Sequence, residues 1–259
     1  NTVMRHEANV EIPSNDEESY SSSESDEILA AADGTFTDLY NKVKNGGTVT
    51  LDRNYVYTAS SDSAYVNGVT INKTTTINGN GFTLNGNNAA RIFYVTADNV
   101  VVKNLNIVNG YTDSPGGAIQ WRGANGLLTQ CNIDNNKMVT SSNIRGGAVG
   151  WYGTLGTVSY CNFNNNEAVN GDCDGGAIYW SSSSPHGIID YCYFNNNKAY
   201  DTGSAIYGEC QNLTVKNSYF VNNKIVSQTS DKDGGALTFI GGSYGTAYNC
   251  TFVNNTANN

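Results

Sequence analysis

Histidine, charge and long apolar runs are scarce in this sequence of 259 residues. The two histidines, His6 and His186, offer no Ser/His/Asp constellation and no spacing suited to a metal. Charged residues make up 14%, and 14 Lys and Arg stand against 23 Asp and Glu, which argues against nucleic-acid binding. No run of 18 apolar residues occurs, so we expect no membrane span. There is no CxxC pair or phosphate loop either, and we expect no cofactor.

The acidic excess is concentrated at the start of the chain. Residues 1–33 carry nine acids and one base, and subtraction from 23 acids and 14 bases leaves 14 acids and 13 bases for residues 34–259. We therefore predict an acidic, Ser/Glu/Asp-rich tail over residues 1–34 and a folded, nearly neutral region over residues 35–259.

Two features point to an exported protein. The chain opens with Asn1 rather than Met, so we expect a mature form that has lost a signal peptide and lies outside the cell. Acceptor sequons for glycosylation occur at Asn72, Asn212, Asn249 and Asn254.

A two-part repeat fills the second half of the chain. Its first motif reads GGAIQW, GGAVGW, GGAIYW, GSAIYG and GGALTF, starting at Gly116, Gly146, Gly175, Gly203 and Gly234, which lie 30, 29, 28 and 31 residues apart. Its second motif follows 15 to 17 residues after each start and reads CNIDNN, CNFNNN, CYFNNN, SYFVNN and CTFVNN. A fixed period of this length is typical of a solenoid, in which each repeat packs on its neighbours.

The apolar positions of each repeat predict strands and corners. Ile178 and Trp180 alternate with Tyr179, which indicates a strand with one buried face. A second buried position, such as Val158, lies three residues before Cys161, and a step of three requires a bend because strand side chains alternate with period two. We predict three short strands per repeat and an all-β, right-handed parallel β-helix of about seven coils of ~30 residues.

Stacked coils place like side chains in ladders. The row of Trp121, Trp151 and Trp180 is predicted to face the core. Buried, small and apolar roles are predicted for Cys131, Cys161, Cys192 and Cys250. In loops, Cys173 and Cys210 are free, paired with each other or cross-linked between chains. An asparagine row at the turn after the Phe position, where stacked amides can bond along the axis, comprises Asn109, Asn135, Asn165, Asn196, Asn222 and Asn254.

Residues 35–45 differ from the strand-rich remainder. Phe36, Leu39, Tyr40 and Val43 follow helical spacing, a Thr precedes them and a Gly pair follows them. We predict a short helix that caps the first coil and covers its strand edges.

The repeat carries a family resemblance. GGA followed by Ile, Val or Leu, with Phe-x-x-Asn downstream as in Phe163 to Asn166, resembles the adhesin-like surface proteins of methanogenic archaea. It is also similar to the repeats of bacterial polymorphic outer-membrane proteins. The resemblance implies a non-enzymatic β-helix at the cell surface, used for attachment or as a stalk, whose partners would be a neighbouring or host cell surface, glycans or further copies of the chain.

Self-assembly is a further hypothesis. No helix, Pro or polar cap follows the last repeat, so we expect open strand edges there. An alternating strand pattern over residues 3–12 could pair with that coil in the next molecule and build a filament or sheath. The alternative is a tail that lies on the β-helix of its own molecule. The residues assigned to this contact are Val3, Ala8, Val10, Ile12, Phe252, Asn254 and Asn255.

The alternative function is a carbohydrate-binding or polysaccharide-active, lyase-like β-helix. Tyr179 and Tyr207 are predicted to face outward on adjacent coils, where they could contact a glycan. Acids before the Gly pairs, interrupted by Arg145, are either a cation site or solvated turn residues. They are Asp113, Asp172, Asp174, Asp201, Asp231 and Asp233, and the metal candidates among them are Asp172, Asp174, Asp231 and Asp233. No catalytic residue is assigned.

Overall fold

The computed structural model describes residues 32–142, 144–227, 234–241 and 244–257. The predicted donor strand at residues 3–12, with the rest of the acidic tail, lies outside the described residues, and so do Asp231 and Asp233.

A helix lies against the first coil. α1 spans Phe36–Val43, and its buried Phe36, Leu39 and Val43 join the main core, which confirms the predicted capping helix. Thr35 begins it with a capping box: the Thr35 hydroxyl accepts from the Asp38 N–H, and the Asp38 carboxylate accepts from the Thr35 N–H.

A second helix, which the sequence did not predict, braces the first. α2 spans Ala59–Asp62 and runs into a 3₁₀ turn at Ser63–Tyr65. The buried Asp62 carboxylate accepts hydrogen bonds from the N–H groups of Phe36, Thr37 and Thr58. Burial alone raises the pKa of Asp62, but these hydrogen bonds outweigh it and hold the pKa below its ordinary value.

Four sheets run along the axis, numbered here in the order in which a coil visits them. Sheet 1 contains Gly47–Thr50, Thr75–Asn78, Val101–Lys103, Leu127–Thr129, Thr157–Ser159, Ile188–Asp190, Thr214–Lys216 and Thr246–Tyr248. Sheet 2 contains Tyr55–Val56, Thr83–Asn85, Asn106–Val108, Asn132–Asp134, Asn162–Asn164, Tyr193–Asn195, Tyr219–Val221 and Thr251–Val253. Sheet 3 contains Tyr111–Thr112, Lys137–Val139, Glu167–Val169, Lys198–Ala199 and Lys224–Ile225. Sheet 4 contains Val69–Ile71, Phe93–Val95, Ile119–Trp121, Val149–Trp151, Ile178–Trp180, Ile206–Gly208 and Leu237–Phe239.

Each strand pairs in parallel and in register with the same strand of the coils before and after it. Thus Trp121, Trp151 and Trp180 face one another in sheet 4, and Phe163, Phe194 and Phe220 do so in sheet 2. Sheet 4 has seven strands, so about seven coils stack as predicted.

The prediction of three strands per coil is wrong for five of the coils. A fourth strand, in sheet 3, lies between the asparagine turn and the Gly pair. These strands are two or three residues long and bury one side chain each, such as Thr112, Met138 or Ala168. The inward residues share no common character, and therefore no repeated pattern marked the strands.

The interior consists of ladders of like side chains. The Trp rings stack with centroids 4.5 and 4.9 Å apart, and the Phe rings stack at 4.9, 5.0 and 4.7 Å from Phe163 to Phe252. Cys131, Cys161 and Cys192 are buried and free, as predicted, while Cys250 is partly buried. Cys173 and Cys210 are also buried, and they form no disulfide with each other; a cross-link between chains stays a prediction.

Asparagine forms two rows with different roles. The predicted row has positive φ, as at Asn165 with 55°, and turns the chain at the end of sheet 2. From Asn135 onward, the residue that follows each of these turns belongs to a buried ladder of Asn136, Asn166, Asn197 and Asn223 that continues to Asn255. In this ladder each amide nitrogen donates to the next amide oxygen at 2.9–3.0 Å and to a backbone carbonyl of the coil before.

The two glycines of the pair Gly146 and Gly147 have different roles: the first adopts a positive φ, and the second leaves room for a neighbouring backbone. Gly146 has a φ of 88°, in the region that glycine enters without a steric penalty, at the turn before sheet 4. A Cβ on the following Gly147 would stand 2.0 Å from the carbonyl oxygen of Gly176, so that position has no room for a side chain.

Candidate functional site

The outward face of sheet 4 carries the tyrosines predicted to contact glycans. Tyr179 and Tyr207 occupy neighbouring central strand positions and point away from the main core, as predicted. They are nevertheless only 6% and 4% exposed. The open aromatic surface expected there is therefore absent, and other side chains cover both rings.

Arg145 is the residue that covers them. It precedes the Gly pair of its coil, and its guanidinium carbon lies 5.5 Å from the ring centroid of Tyr179 and 5.1 Å from that of Tyr207. Its Nε is 2.9 Å from Oδ2 of Asp174, and its Nη1 is 2.9 Å from Oε1 of Glu209. Arg145 thus joins three consecutive coils, because it pairs with Asp174 one coil later and with Glu209 two coils later.

Tyrosine hydroxyls and rings complete this cluster. The Tyr179 hydroxyl donates to Oε2 of Glu209 at 2.7 Å, and Tyr152 meets Tyr179 edge-on with centroids 5.6 Å apart. The sequence did not single out Tyr152 or Glu209. Both directly follow a strand of sheet 4, where the repeat has no constant residue, so only the folded structure brings them to Arg145.

Burial shifts the pKa values in this cluster. Desolvation raises the pKa of Asp174 to about 6, although the ion pair with Arg145 opposes the shift. Its other oxygen, Oδ1, is buried without a hydrogen-bond partner. Desolvation lowers the pKa of Arg145, but the hydrogen bond with Asp174 and the charge of Glu209 outweigh this and raise it above its ordinary value. Asp174 is therefore a carboxyl group that can hold a proton near neutral pH.

A small cavity of about 150 Å³ opens beside the cluster. Pro115, Ile144, Arg145, Tyr152 and Tyr179 line it. The cavity, a guanidinium and a carboxyl group of raised pKa therefore lie together on the outward face of sheet 4.

The predicted row of acids does not come together as a metal site within the described residues. No group of three or more His, Cys, Asp or Glu side chains suited to a metal occurs there. Asp113 and Asp172 are exposed, Asp201 is half-buried, and Asp174 is paired with Arg145. Asp231 and Asp233 lie outside the described residues, so their part of the hypothesis stays a prediction.

The other predicted sites lie at the surface. The sequon residues Asn72, Asn212, Asn249 and Asn254 are all exposed. Phe252, assigned to self-assembly, is 50% exposed in the last described coil, whereas Phe220 in the coil before is buried. The partner residues Val3, Ala8, Val10 and Ile12 lie outside the described part of the chain.

Comparison with known families agrees with this architecture. The sequence pattern of the family described as "Right handed beta helix region" matches residues 67–257. The chain belongs to the right-handed β-helix family. Neither a curated protein nor a solved structure matches this β-helix significantly. The match confirms the predicted hand of the coil and the predicted fold class.

Within the described part of this β-helix, no helix has the length and apolar character needed to span a membrane.

Proposed function

We propose that this β-helix is a non-enzymatic, extracellular, adhesin-like surface protein, a rigid support that presents its outward side chains to a large partner. The ladders carry this proposal. Inward positions repeat from coil to coil, whereas the exposed first position of sheet 2 changes from Asn162 to Tyr193 and, two coils later, to Thr251. A constant interior with a variable exterior, repeated about every 4.8 Å, provides the extended surface that solenoids use for binding.

The ion pairs of sheet 4 support a structural rather than a catalytic role there. An acid/base pair needs carboxyl groups that reach the substrate and exchange protons with it. In this cluster Arg145 holds both Asp174 and Glu209 at 2.9 Å. The Tyr179 hydroxyl also donates a hydrogen bond to the Glu209 carboxylate.

Surface location and adhesion are tested together. Immunogold labelling of intact cells that produce the protein should decorate the outer surface, and beads coated with purified protein should adhere to those cells or their neighbours. Labelling confined to the cell interior, or coated beads that adhere no better than albumin-coated beads, would contradict the proposal.

A polysaccharide-active enzyme is the second candidate. It is favoured by one observation: the buried Asp174 carboxyl group, of pKa about 6, is paired with Arg145, and Arg145 lines a cavity together with Tyr152. A proton donor of this kind suits general acid catalysis. Incubation with acidic and neutral polysaccharides separates the candidates: reducing or unsaturated sugar released by the wild type but not by Asp174→Asn would establish the enzyme, and no release would favour the adhesin.

Head-to-tail association is the last part of the proposal. It rests on the alternating strand pattern of residues 3–12 and on Phe252, which continues the stacked Phe row into the last described coil. Negative-stain electron microscopy of the full chain should show filaments, and a chain lacking residues 1–13 should remain as single rods. Filaments of unchanged length in the truncated chain would contradict donation by that segment.

A further inference from the structure

Five exposed tyrosines gather at one corner of the β-helix, where sheet 1 turns into sheet 2. They are Tyr160, Tyr191, Tyr193, Tyr219 and Tyr248, and each is between 37% and 59% exposed. The strand registers place them on four consecutive coils, at the last position of sheet 1, the corner itself or the first position of sheet 2. The same three positions of the two preceding coils hold no aromatic side chain and read Lys103, Asn104, Asn106, Thr129, Gln130 and Asn132.

The backbone of the corner does not favour tyrosine. Tyr160 and Tyr191 have φ values of 52° and 49°, in the left-handed region where a bulky side chain is sterically disfavoured. The same corner position holds asparagine in three other coils, at Asn104, Asn217 and Asn249, with φ values of 57°, 49° and 51°. Asparagine suits this conformation, and so the fold alone does not account for two successive tyrosines.

The tyrosine rings form an exposed aromatic row, in which one pair of rings is stacked and another pair is tilted by 45°. The rings of Tyr160 and Tyr191 stack with centroids 5.1 Å apart and planes 2° from parallel. Tyr193 and Tyr219 lie beside them on sheet 2, with centroids 6.5 Å apart. Exposed apolar patches that are ordered in this way typically mark binding sites.

Polar groups of balanced charge border the rings. Lys216 Nζ lies 3.3 Å from Oδ2 of Asp190, so the two charges form an ion pair at the surface. The Asn217 amide donates to Oδ1 of Asp190 at 2.8 Å, and the Asn249 amide donates to Oδ1 of Asn217 at 2.6 Å. The corner therefore offers amides and a neutralised ion pair rather than an excess of either charge.

We propose that these five residues, the tyrosine platform, bind an uncharged, extended oligosaccharide. A pyranose ring has an apolar C–H face that packs on an aromatic ring and an edge of hydroxyl groups that pairs with amides and carboxylates. Tyrosine provides such contact area with little loss of conformational entropy. The platform rests on the proposed adhesive function and deepens it, because it names the class of ligand and the place where it is held.

Two double variants test the platform without removing a buried side chain. Tyr160→Asn with Tyr191→Asn installs the residue that three other coils carry at the corner. Tyr193→Thr with Tyr219→Thr installs the residue type of Thr251, which lies next in the same row of sheet 2. Tyr111→Thr is the matched control, because Tyr111 is a similarly exposed tyrosine on sheet 3.

The probes are hexasaccharides of β-1,4-linked glucose, mannose and N-acetylglucosamine, with hexagalacturonate as the charged comparison, measured by isothermal titration calorimetry. We expect the wild type and Tyr111→Thr to bind at least one neutral probe equally well. Each double variant should bind it about tenfold or more weakly, as for loss of aromatic anchors. The Asn variant should keep or raise the Tm, which excludes misfolding as the cause.

Three results would overturn the platform. One is equal affinity of the wild type and both double variants, and another is binding of hexagalacturonate alone. The third is a wild type that binds none of the neutral probes. If light scattering then shows wild-type dimers that the variants lose, this corner is a contact between two copies. Bead adhesion to cells is measured separately, so adhesion retained by these variants would reject the platform and leave the proposed function standing.

Discussion

The Nδ2 atom of Asn166 donates to the Oδ1 atom of Asn197 at 3.0 Å, and that same oxygen accepts the backbone N–H of Asn166 at 3.0 Å. Both side chains are fully buried. A single amide thus satisfies polar groups on the coil before and the coil after it, where water does not reach. The ladder therefore joins consecutive coils in the same register as the backbone pairing.

Loss of one amide in this ladder should be strongly destabilising. Asn166→Ala leaves the backbone N–H and amide of Asn136 and the carbonyl of Ile133 without their partner. At about 1–3 kcal/mol for each buried unpaired group, partly relieved by relaxation, we expect a loss of about 3–5 kcal/mol in the free energy of unfolding. Urea denaturation measures it. Asn165→Gly is the control, since glycine adopts the same positive φ, and an equal loss there would contradict the assignment.

Loss of Arg145 should lower the stability of the fold more than loss of a cation from a solvent-accessible ion pair. Arg145→Met leaves Asp174 and Glu209 facing each other without a cation, and we expect a loss of about 2–4 kcal/mol in the free energy of unfolding. Thermal denaturation followed by circular dichroism provides the measurement. Lys216→Met removes a solvent-accessible ion pair and should change the Tm far less; a similar loss in both variants would refute the structural role of Arg145.

Asp174 should make the protein less stable as pH rises through the range 4 to 6. Its folded pKa of about 6 lies above the unfolded value of about 3.9, so the folded state binds the proton more tightly and ionisation opposes folding. Asp174→Asn should remove this slope. Relative to that variant, the wild type should be about 2 kcal/mol less stable at pH 7.5 than at pH 4.5. Parallel stability curves for the two proteins would show that Asp174 does not titrate as described.

Asp62 should show the opposite pH dependence. Its folded pKa is lowered, so its contribution is complete above the unfolded value and is lost as pH falls through the folded one. Asp62→Ala leaves the N–H groups of Phe36, Thr37 and Thr58 without an acceptor and should lower the free energy of unfolding at neutral pH by about 2–4 kcal/mol. Asp38→Ala, which removes only the exposed half of the capping box, should cost about 0.5–1 kcal/mol. Urea denaturation at pH 7 and pH 3 compares them.

The repeat made much of this fold predictable. Ile178 and Trp180 recur at a constant spacing because each coil must present the same inward shape to the next, and repetition of that kind is visible without coordinates. Phe36, Leu39 and Val43 likewise revealed the capping helix, because one face of a helix must be apolar to lie on the core. The strands of sheet 3 were not predicted, because residues as different as Thr112, Met138 and Ala168 fill their single inward position.

The candidate site was less predictable because it depends on contacts between coils. The alternation of strand residues correctly placed Tyr179 on the outside, but it said nothing of Arg145, which reaches over the ring from the preceding coil. The corner tyrosines were missed for a related reason. Tyr160 and Tyr191 replace asparagine at a turn, and the significance of that exchange emerges only when the positive φ of the position is known.

The asparagine ladder also bears on how such a chain can change in length. Asn136, Asn166 and Asn197 each meet the coil before and the coil after through the same donor and acceptor atoms. Excision of the coil that carries Asn166 would bring Asn136 against Asn197, two surfaces that already match. Duplication would likewise add a coil whose two faces are complementary to those present. The unit of tolerated insertion or deletion in this gene is therefore a whole turn of about 30 residues, and shorter changes would put unlike rows in contact.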